Sequence, residues 1–386
     1  MRPRQSRRHG AAVTVAATLA ALGAGQILGT PTASAAASHS PTPSSAVASA
    51  QDRAARAIAG SLSDTGWRAR LRAAALASDE VPVTRLAGGA LKPALTAADH
   101  RIATAKGLDG QVGSLLRLRL GDDSMRPALT AGRTPWVAAA TSDDDATTVT
   151  AYDSRGRAHS LDAHKAPTHP VYVVDIDGDQ ALAAGLRVLG TELHRLGVAS
   201  AAPAPTTAQQ RTGKPAGRPA PATAGFWTTR ISAVELSDDE EPWIKGDAEI
   251  YTLVTGFGQD GKVRVDPVDM PYLDNDGTVY RPNQILVNWS NYKYDLADAV
   301  MMEEDGSTNY RDLAKAIATV LLTIADQGGY VPLVNAVLDA IPDDWWTDDP
   351  DYVDSWYTLA RSDNGTRHGA RGNGWMTVEP YFVQQF

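Results

Sequence analysis

Apolar residues recur at helical spacing in the first third of the chain and then at strand spacing. Residues 50–78 are rich in Ala and Arg, and Ser63 or Asp64 is a candidate N-cap in front of Trp67. A second short helix is predicted over residues 97–106. Strands at 136–140, 147–152, 157–161 and 171–176 and an amphipathic helix over 180–196 follow. Residues 61–198 are therefore predicted to be a small mixed α+β domain.

The pattern beyond residue 225 begins and ends with strands. Predicted strands cover residues 227–236, 248–257, 262–266, 268–273, 284–288, 352–360 and 375–383. Helices are predicted around residues 295–341, where Gly328-Gly329 and Pro342 are stop signals. Strands, then helices, then strands favour an α+β fold with a β-sandwich-like domain over residues 226–386 that carries a helical insertion.

Two stretches have a low-complexity composition. Residues 36–60 are rich in Ala, Ser, Pro and Thr and are predicted to be disordered. Residues 199–225 are rich in Pro and Ala and are predicted to be a linker, because such a segment cannot bury enough surface to offset its ordering entropy.

Charge and aromatic residues divide along the same boundary. Residues 226–386 hold 28 Asp and Glu against 11 Lys and Arg, a net charge of −17, whereas the preceding residues carry a net charge of +8. Of the 25 Phe, Trp and Tyr residues, 21 lie in the acidic part. Aromatic side chains bury large areas, so the best-packed core is expected there.

The first 35 residues resemble a signal peptide. Arg2, Arg4, Arg7 and Arg8 precede an apolar stretch over residues 11–28, and Ala33-Ser34-Ala35 has the small residues of a cleavage site. A membrane anchor is the alternative, although the stretch is short. The sequence favours a secreted or extracellular protein with no further transmembrane segment, and it leaves the Sec and twin-arginine routes open.

Composition excludes several classes of function. The chain has no Cys, which excludes disulfides, Cys-based zinc sites, iron–sulfur clusters and a Cys nucleophile. Its formal net charge of −9 disfavours nucleic acid as a partner. No nucleophile elbow, phosphate loop or His-Glu-x-x-His zinc motif occurs, so a catalytic residue is not identified. An acidic pair of the glycosidase type stays open.

Clustered carboxylates in predicted turns are the strongest chemical signal. Calcium takes six to eight oxygen ligands, which acidic loops outside the cell commonly supply. The candidate ligands are Asp238, Asp239, Glu241, Asp247, Glu249, Asp269, Asp274 and Asp276. They predict a Ca²⁺ site, and the alternative is a solvated acidic face.

Three further motifs carry weaker signals. The Asp274–Gly277 and Asp175–Gly178 sequences fail the EF-hand spacing and are predicted to be tight turns. Trp345-Trp346 among carboxylates suits either sugar stacking or a core corner. His159, His164 and His169 recur every five residues, a spacing that disfavours a helical metal pair.

Several short sequence motifs of the acidic part resemble those of an uncharacterised family of secreted bacterial proteins, a domain of unknown function. These motifs are Glu241–Tyr251, Asp269–Asp274, Pro282–Leu286, Thr308–Tyr310, Asp351–Asp354 and Tyr357–Leu359. The resemblance spans residues 230–383 and implies no activity, fold or site residue.

Three functions therefore remain after the sequence is read. The first is a calcium-dependent binding module for a surface or a carbohydrate ligand. The second is a secreted hydrolase with a basic N-terminal pro-segment, and the third is a cell-envelope structural protein. The sequence leans away from an enzyme.

Overall fold

Regular elements fill most of the chain in the computed structural model, which describes residues 43–141, 146–198, 225–237, 243–246, 248–304, 306, 308–341 and 352–384. The helices in these residues are α1 Pro43–Ser61, α2 Thr65–Ala77, α3 Val83–Leu86, α4 Leu91–Ala105, α5 Arg126–Thr130, α6 Gly178–Leu196, α7 Tyr310–Leu321 and α8 Val334–Leu338. The strands are β1 Glu80–Val81, β2 Leu116–Leu120, β3 Trp136–Ala139, β4 Thr148–Tyr152, β5 Ala158–Asp162, β6 Val171–Ile176, β7 Gly225–Leu236, β8 Ile250–Phe257, β9 Val263–Asp269, β10 Gln284–Asn288, β11 Leu296–Glu303, β12 Tyr352–Ala360, β13 Gly365–His368 and β14 Gly374–Gln384. The predicted α+β class is confirmed. None of the described helices is long and apolar enough to cross a bilayer.

The first helical segment is broken at a capping residue. The Asp64 side chain accepts a hydrogen bond from the Trp67 backbone N–H at 3.0 Å and begins α2, as the sequence predicts. Helix α1 differs from the prediction of disorder over residues 36–60. One face of the helix is buried, and small side chains such as Ala50 and Ala54 lie on it. Small residues at helical spacing let α1 lie close against α4 and the first sheet, so tertiary packing offsets the ordering entropy.

The first sheet has the strand order β1-β2-β6-β3-β4-β5. Its pairs are antiparallel except β3 and β6, which run parallel with Val137 opposite Tyr172. Alternate residues of β6 enter two separate apolar clusters. Tyr172 and Val174 join the cluster formed with the helices, whereas Val171 and Val173 join a smaller cluster that also holds Ile244. A residue from the acidic part of the chain therefore helps to cover one face of the first sheet.

Two four-stranded antiparallel sheets follow, with the orders β10-β7-β14-β13 and β12-β11-β8-β9. All eight residues of β8 are buried. Ile250 and Val254 share an apolar cluster with residues of β7 and β14. Leu253 and Phe257 enter the cluster that contains the helices. The sheet β12-β11-β8-β9 therefore lies between the sheet β10-β7-β14-β13 and a layer of helices.

Helices α6 and α7 join the two halves of the chain. The ring of Tyr310, at the start of α7, lies directly over Gly185 of α6, where a Cβ atom would stand 2.0 Å from the ring carbon Cζ. A single apolar cluster contains buried residues from α1, α4, α6, β8 and α7. The basic and acidic parts identified in the sequence are therefore packed on one shared core.

The predicted helical insertion needs a correction at its start. Residues Leu296–Glu303 form strand β11, which pairs with β8 on one side and with β12 on the other. Ala and Met favour helices in isolation, but seven of the eight residues of β11 are buried between neighbours on both faces. Burial in the centre of a sheet overrides the local preference, and the helices of this region begin only at Tyr310.

Candidate functional site

A cleft of about 570 Å³ opens where the two halves of the chain meet. We call it the acidic cleft, because ten carboxylate residues and four basic residues of the described part of the chain line it. The acidic residues are Asp79, Glu80, Asp122, Asp123, Asp175, Asp177, Asp179, Glu249, Asp274 and Glu304, and the basic residues are Lys106, Arg119, Arg126 and Lys245. Segments from β1, the end of β6, the start of α6 and the stretch before β8 contribute to it. The fold therefore gathers side chains that are widely separated in sequence.

The floor of the acidic cleft is a buried ion pair. Lys106 Nζ lies 2.7 Å from Glu304 Oε1, and the two side chains are 0% and 1% exposed. The Tyr310 hydroxyl donates to Glu304 Oε2, and the Gly306 backbone N–H donates to Oε1 at 2.9 Å. The Glu304 side chain is thus held by a cation and two further donors. This arrangement joins the end of α4 to the end of β11.

Glu249 lies beside this floor in a different electrostatic setting. Its carboxyl packs against Gly178 at the first turn of α6, where a Cβ atom would stand 1.7 Å from Glu249 Oε1. Burial, and then the negative charges of Glu304 and Asp175, raise the pKa of Glu249 well above its usual range. A carboxyl of this kind takes up a proton or a cation readily, because either one relieves the crowding of negative charge.

Other carboxylates of the cleft are paired with arginines from β2. Asp175 lies 2.9 Å from Arg119 Nε, and Asp177 pairs with Arg117 while also capping α6 through the Gln180 N–H. The predicted tight turn at Asp175–Gly178 is thus the end of β6 followed by the start of α6. These pairs fix the carboxylates in place and leave the cleft with a large excess of negative charge.

Glu80 stands at the rim of the cleft. Although its side chain is 47% exposed, partial burial and then Asp175 and Asp177 raise its pKa to about 7. It is a second carboxyl of the cleft that takes up protons more readily than usual.

The structure separates the predicted calcium ligands. Glu249 and Asp274 line the acidic cleft. Burial, and then the nearby charge of Asp179, raise the pKa of Asp269 to about 6, whereas Asp276 is exposed on its turn. Asp238, Asp239, Glu241 and Asp247 lie outside the described residues. Among those that are described, no group of three or more His, Asp or Glu side chains is arranged to hold a metal ion.

Asp274 already has protein partners. It accepts hydrogen bonds from the Tyr280 hydroxyl at 2.6 Å and the Asn275 amide at 3.0 Å. These contacts hold its loop against the edge of the cleft.

The remaining sequence candidates have different outcomes. Trp345 and Trp346 lie outside the described residues. His159 and His169 lie on either side of Trp136, and His164 is exposed, so the histidines do not converge on a metal. Lys106, Arg119 and Glu80 are functional candidates that sequence reasoning missed. A charged residue in a helical or strand pattern gives no signal of its partner when that partner is some 200 residues away.

Comparison with known proteins places the chain in a family and goes no further. The family model described as a protein of unknown function, DUF3103, matches residues 55–386. It extends the resemblance at residues 230–383 into the N-terminal part, in agreement with the shared core. Neither curated proteins nor solved structures gave a match. The chain belongs to the DUF3103 family, whose members share this sequence pattern and have no assigned function.

Proposed function

We propose that this protein is an exported binding protein and that the acidic cleft is its binding site, with Ca²⁺ as the first candidate ligand. The observation that carries the proposal is that carboxylates from β1, β6, α6 and the segment before β8 line one cleft. Since no three of the described ones already form a metal site, the cation would have to draw its ligands together on binding. A hard divalent cation offsets the repulsion among them. In this proposal the bound cation presents a surface to a glycan or another envelope component.

The donor set supports a cation better than an anion. Glu249 and Asp274 offer carboxylate oxygens, and the acidic residues 238–241 come immediately before the cleft residues Trp243, Lys245 and Gly246 in the sequence. Calcium accepts waters and backbone carbonyls beside carboxylates and tolerates irregular geometry, so a set with few carboxylates of this kind fits it better than Mg²⁺ or Zn²⁺.

We expect calorimetry on the full mature chain to show Ca²⁺ binding that Glu249→Gln weakens about tenfold or more. Gln resembles the protonated carboxyl, so the variant keeps its packing against Gly178 and loses only the charge. Affinity should rise with pH, because protons and Ca²⁺ compete for carboxyls whose pKa is raised.

Asp276→Asn is the matched control for this measurement. Asp276 belongs to the same predicted ligand set but is exposed outside the cleft lining, so its replacement should leave the affinity unchanged. Absence of heat and of any shift in melting temperature at millimolar Ca²⁺ would refute the proposal.

Export is a separate part of the proposal. It rests on the cationic start, the apolar stretch and the Ala33-Ser34-Ala35 site. Mass spectrometry of the protein from culture medium should give a chain that begins at Ala36. A chain found only inside the cell, with its first 35 residues intact, would contradict this part alone.

A hydrolase is the second candidate, and the pairing of Glu249 with Glu304 favours it. Glu304 is paired with Lys106, and the pKa of Glu249 is raised, which is the pattern of a general acid beside a charged neighbour. Turnover in an ester, glycoside and peptide panel that Glu249→Gln abolishes would support this function.

The shared core does not support a hydrolase whose N-terminal part is a removable pro-segment, since release of residues 36–198 would expose α7 and β8. If both tests fail, the structural role is the remaining candidate.

A further inference from the structure

Three aromatic rings stack at one edge of the first sheet. The Trp136 indole lies 4.1 Å from the His159 ring and 4.0 Å from the His169 ring, with interplanar angles of 10° and 24°. His169 precedes β6 and His159 belongs to β5, and these strands lie on opposite sides of β3 in the sheet order. The two imidazoles therefore reach the indole from opposite flanks. This geometry excludes a shared metal ion and joins β5 to β6 through a side chain of β3.

The charged groups around the stack differ on its two sides. His159 Nε2 lies 3.4 Å from Asp153 Oδ2, and Arg157 binds the same carboxylate. Burial alone would raise the pKa of Asp153, but hydrogen bonds from the backbone and side chain of Arg157 hold it well below its usual range. Asp153 therefore remains ionised on acidification and keeps an anion beside His159.

Within the described part of the chain, no carboxylate is paired with His169. Burial lowers its pKa below the usual 6.5, and the charges of Arg133 and His159 act in the same direction. Its Nε2 lies 3.1 Å from the Thr134 carbonyl oxygen, which is the only opposing contribution among these groups. A proton on His169 would therefore stand near the positive charge of Arg133.

Strand β5 also holds a wall of the acidic cleft. The Trp243 indole N–H donates to the Asp162 carbonyl oxygen at 3.2 Å, and Leu161 shares a buried cluster with Ile244. On its other side Trp243 packs on Gly121, and its carbonyl accepts from Arg119. The position of residues 243–246 thus depends on the same strand that carries His159.

We propose that the His159–Trp136–His169 stack is a proton-sensitive clamp that fixes β5, and with it the cleft wall at residues 243–246, at neutral pH and loosens both on acidification. The neutral form of His169 fits the closed stack, whereas an opened state binds the proton with the ordinary pKa. The stabilisation is therefore complete above pH 6.5 and is lost as the pH falls through 6.5 toward the lower value of the closed state. As a means of ligand release this device rests on the proposed function of the cleft.

Hydrogen exchange on the full mature chain tests the clamp without any ligand, so its outcome is independent of whether the cleft binds Ca²⁺. Between about pH 7.5 and about pH 5.5, after correction for intrinsic rates, protection of residues 158–163 and 243–246 should fall roughly tenfold. His169→Phe keeps a flat ring in the stack and removes the proton, so it should abolish this dependence. His164→Gln, an exposed histidine of the same stretch, should retain it.

Imidazole NMR on the unmodified chain provides a second measurement. One histidine resonance, missing in His169→Phe, should titrate below pH 6.5. Protection that is independent of pH, a His169→Phe variant with the wild-type response, or a His169 resonance that titrates above pH 6.5 would each overturn the inference.

Discussion

Lys106→Met should cost about 3–5 kcal/mol of unfolding free energy, because it leaves Glu304 buried without its cation. Met fills the space of the Lys stem, so the loss reports the charge rather than a cavity. Urea unfolding followed by tryptophan fluorescence measures it. Since the pair joins α4 to the end of β11, both halves of the chain should unfold in one transition.

Two further variants show whether the loss of unfolding free energy in Lys106→Met comes from the unpaired charge of Glu304. Lys315→Met breaks an ion pair whose side chains are more than half exposed, so it should cost less than about 0.5 kcal/mol. The double replacement Lys106→Met with Glu304→Leu should recover much of the loss, because both charges are then removed together. A loss below about 1 kcal/mol for Lys106→Met would contradict the view that the pair supports the floor of the cleft.

The second large effect is expected at Asp354. Its carboxylate accepts four backbone N–H groups: those of Ser355 and Arg371 on Oδ1 and those of Asn373 and Gly374 on Oδ2, at 2.7 to 2.9 Å. The side chain is fully buried in strand β12, and the donors belong largely to the loop between β13 and β14. The Asp354 carboxylate therefore supplies hydrogen-bond acceptors to backbone N–H groups that have no partner strand.

Asp354→Ala should destabilise the protein by at least about 3 kcal/mol, since several buried donors lose their acceptor together. Asp354→Asn keeps one acceptor oxygen and should lose roughly half as much. Denaturant unfolding gives both values, and Asp312→Asn on the exposed face of α7 is the control. Equal and small losses in the Ala and Asn variants would show that water replaces the carboxylate without cost.

Local signals in the sequence predicted local structure well. The Asp64 cap, the alternation in β4, the short apolar run of β6 and the spacing of leucines in α6 each depend on neighbours within a few residues. Strand β11 was predicted to lie in a helical region because its Ala and Met residues favour a helix, and only its position between β8 and β12 makes it a strand. The first part of α1 was predicted to be disordered because it is rich in Ala, Ser, Pro and Thr, whereas its second part lies in the stretch predicted to be helical.

The candidate site was predictable only in part. Clustered acidic residues indicated Glu249 and Asp274, which do line the cleft. Lys106 and Glu304 are 198 residues apart. The residues next to each of them in the sequence do not indicate that the two side chains pair. The predictions for Asp238, Asp239, Glu241 and Asp247 remain predictions. The sequence does not predict how its two halves pack on each other, because that packing depends on long-range contacts such as that of Tyr310 with Gly185.

Strands β7 and β14 pair from Gly225 to Gln384, and Arg230 and Glu379, which face each other across them, are 149 residues apart in the chain. Both strands are internal to their sheet, so the sheet cannot be completed until this whole length has been synthesised. A polypeptide that is threaded through a translocon must stay unfolded until it has crossed. Under the proposed export, and if its route is Sec rather than twin-arginine, the late pairing of β7 with β14 would keep the chain unfolded during synthesis and delay its final folding until it has crossed.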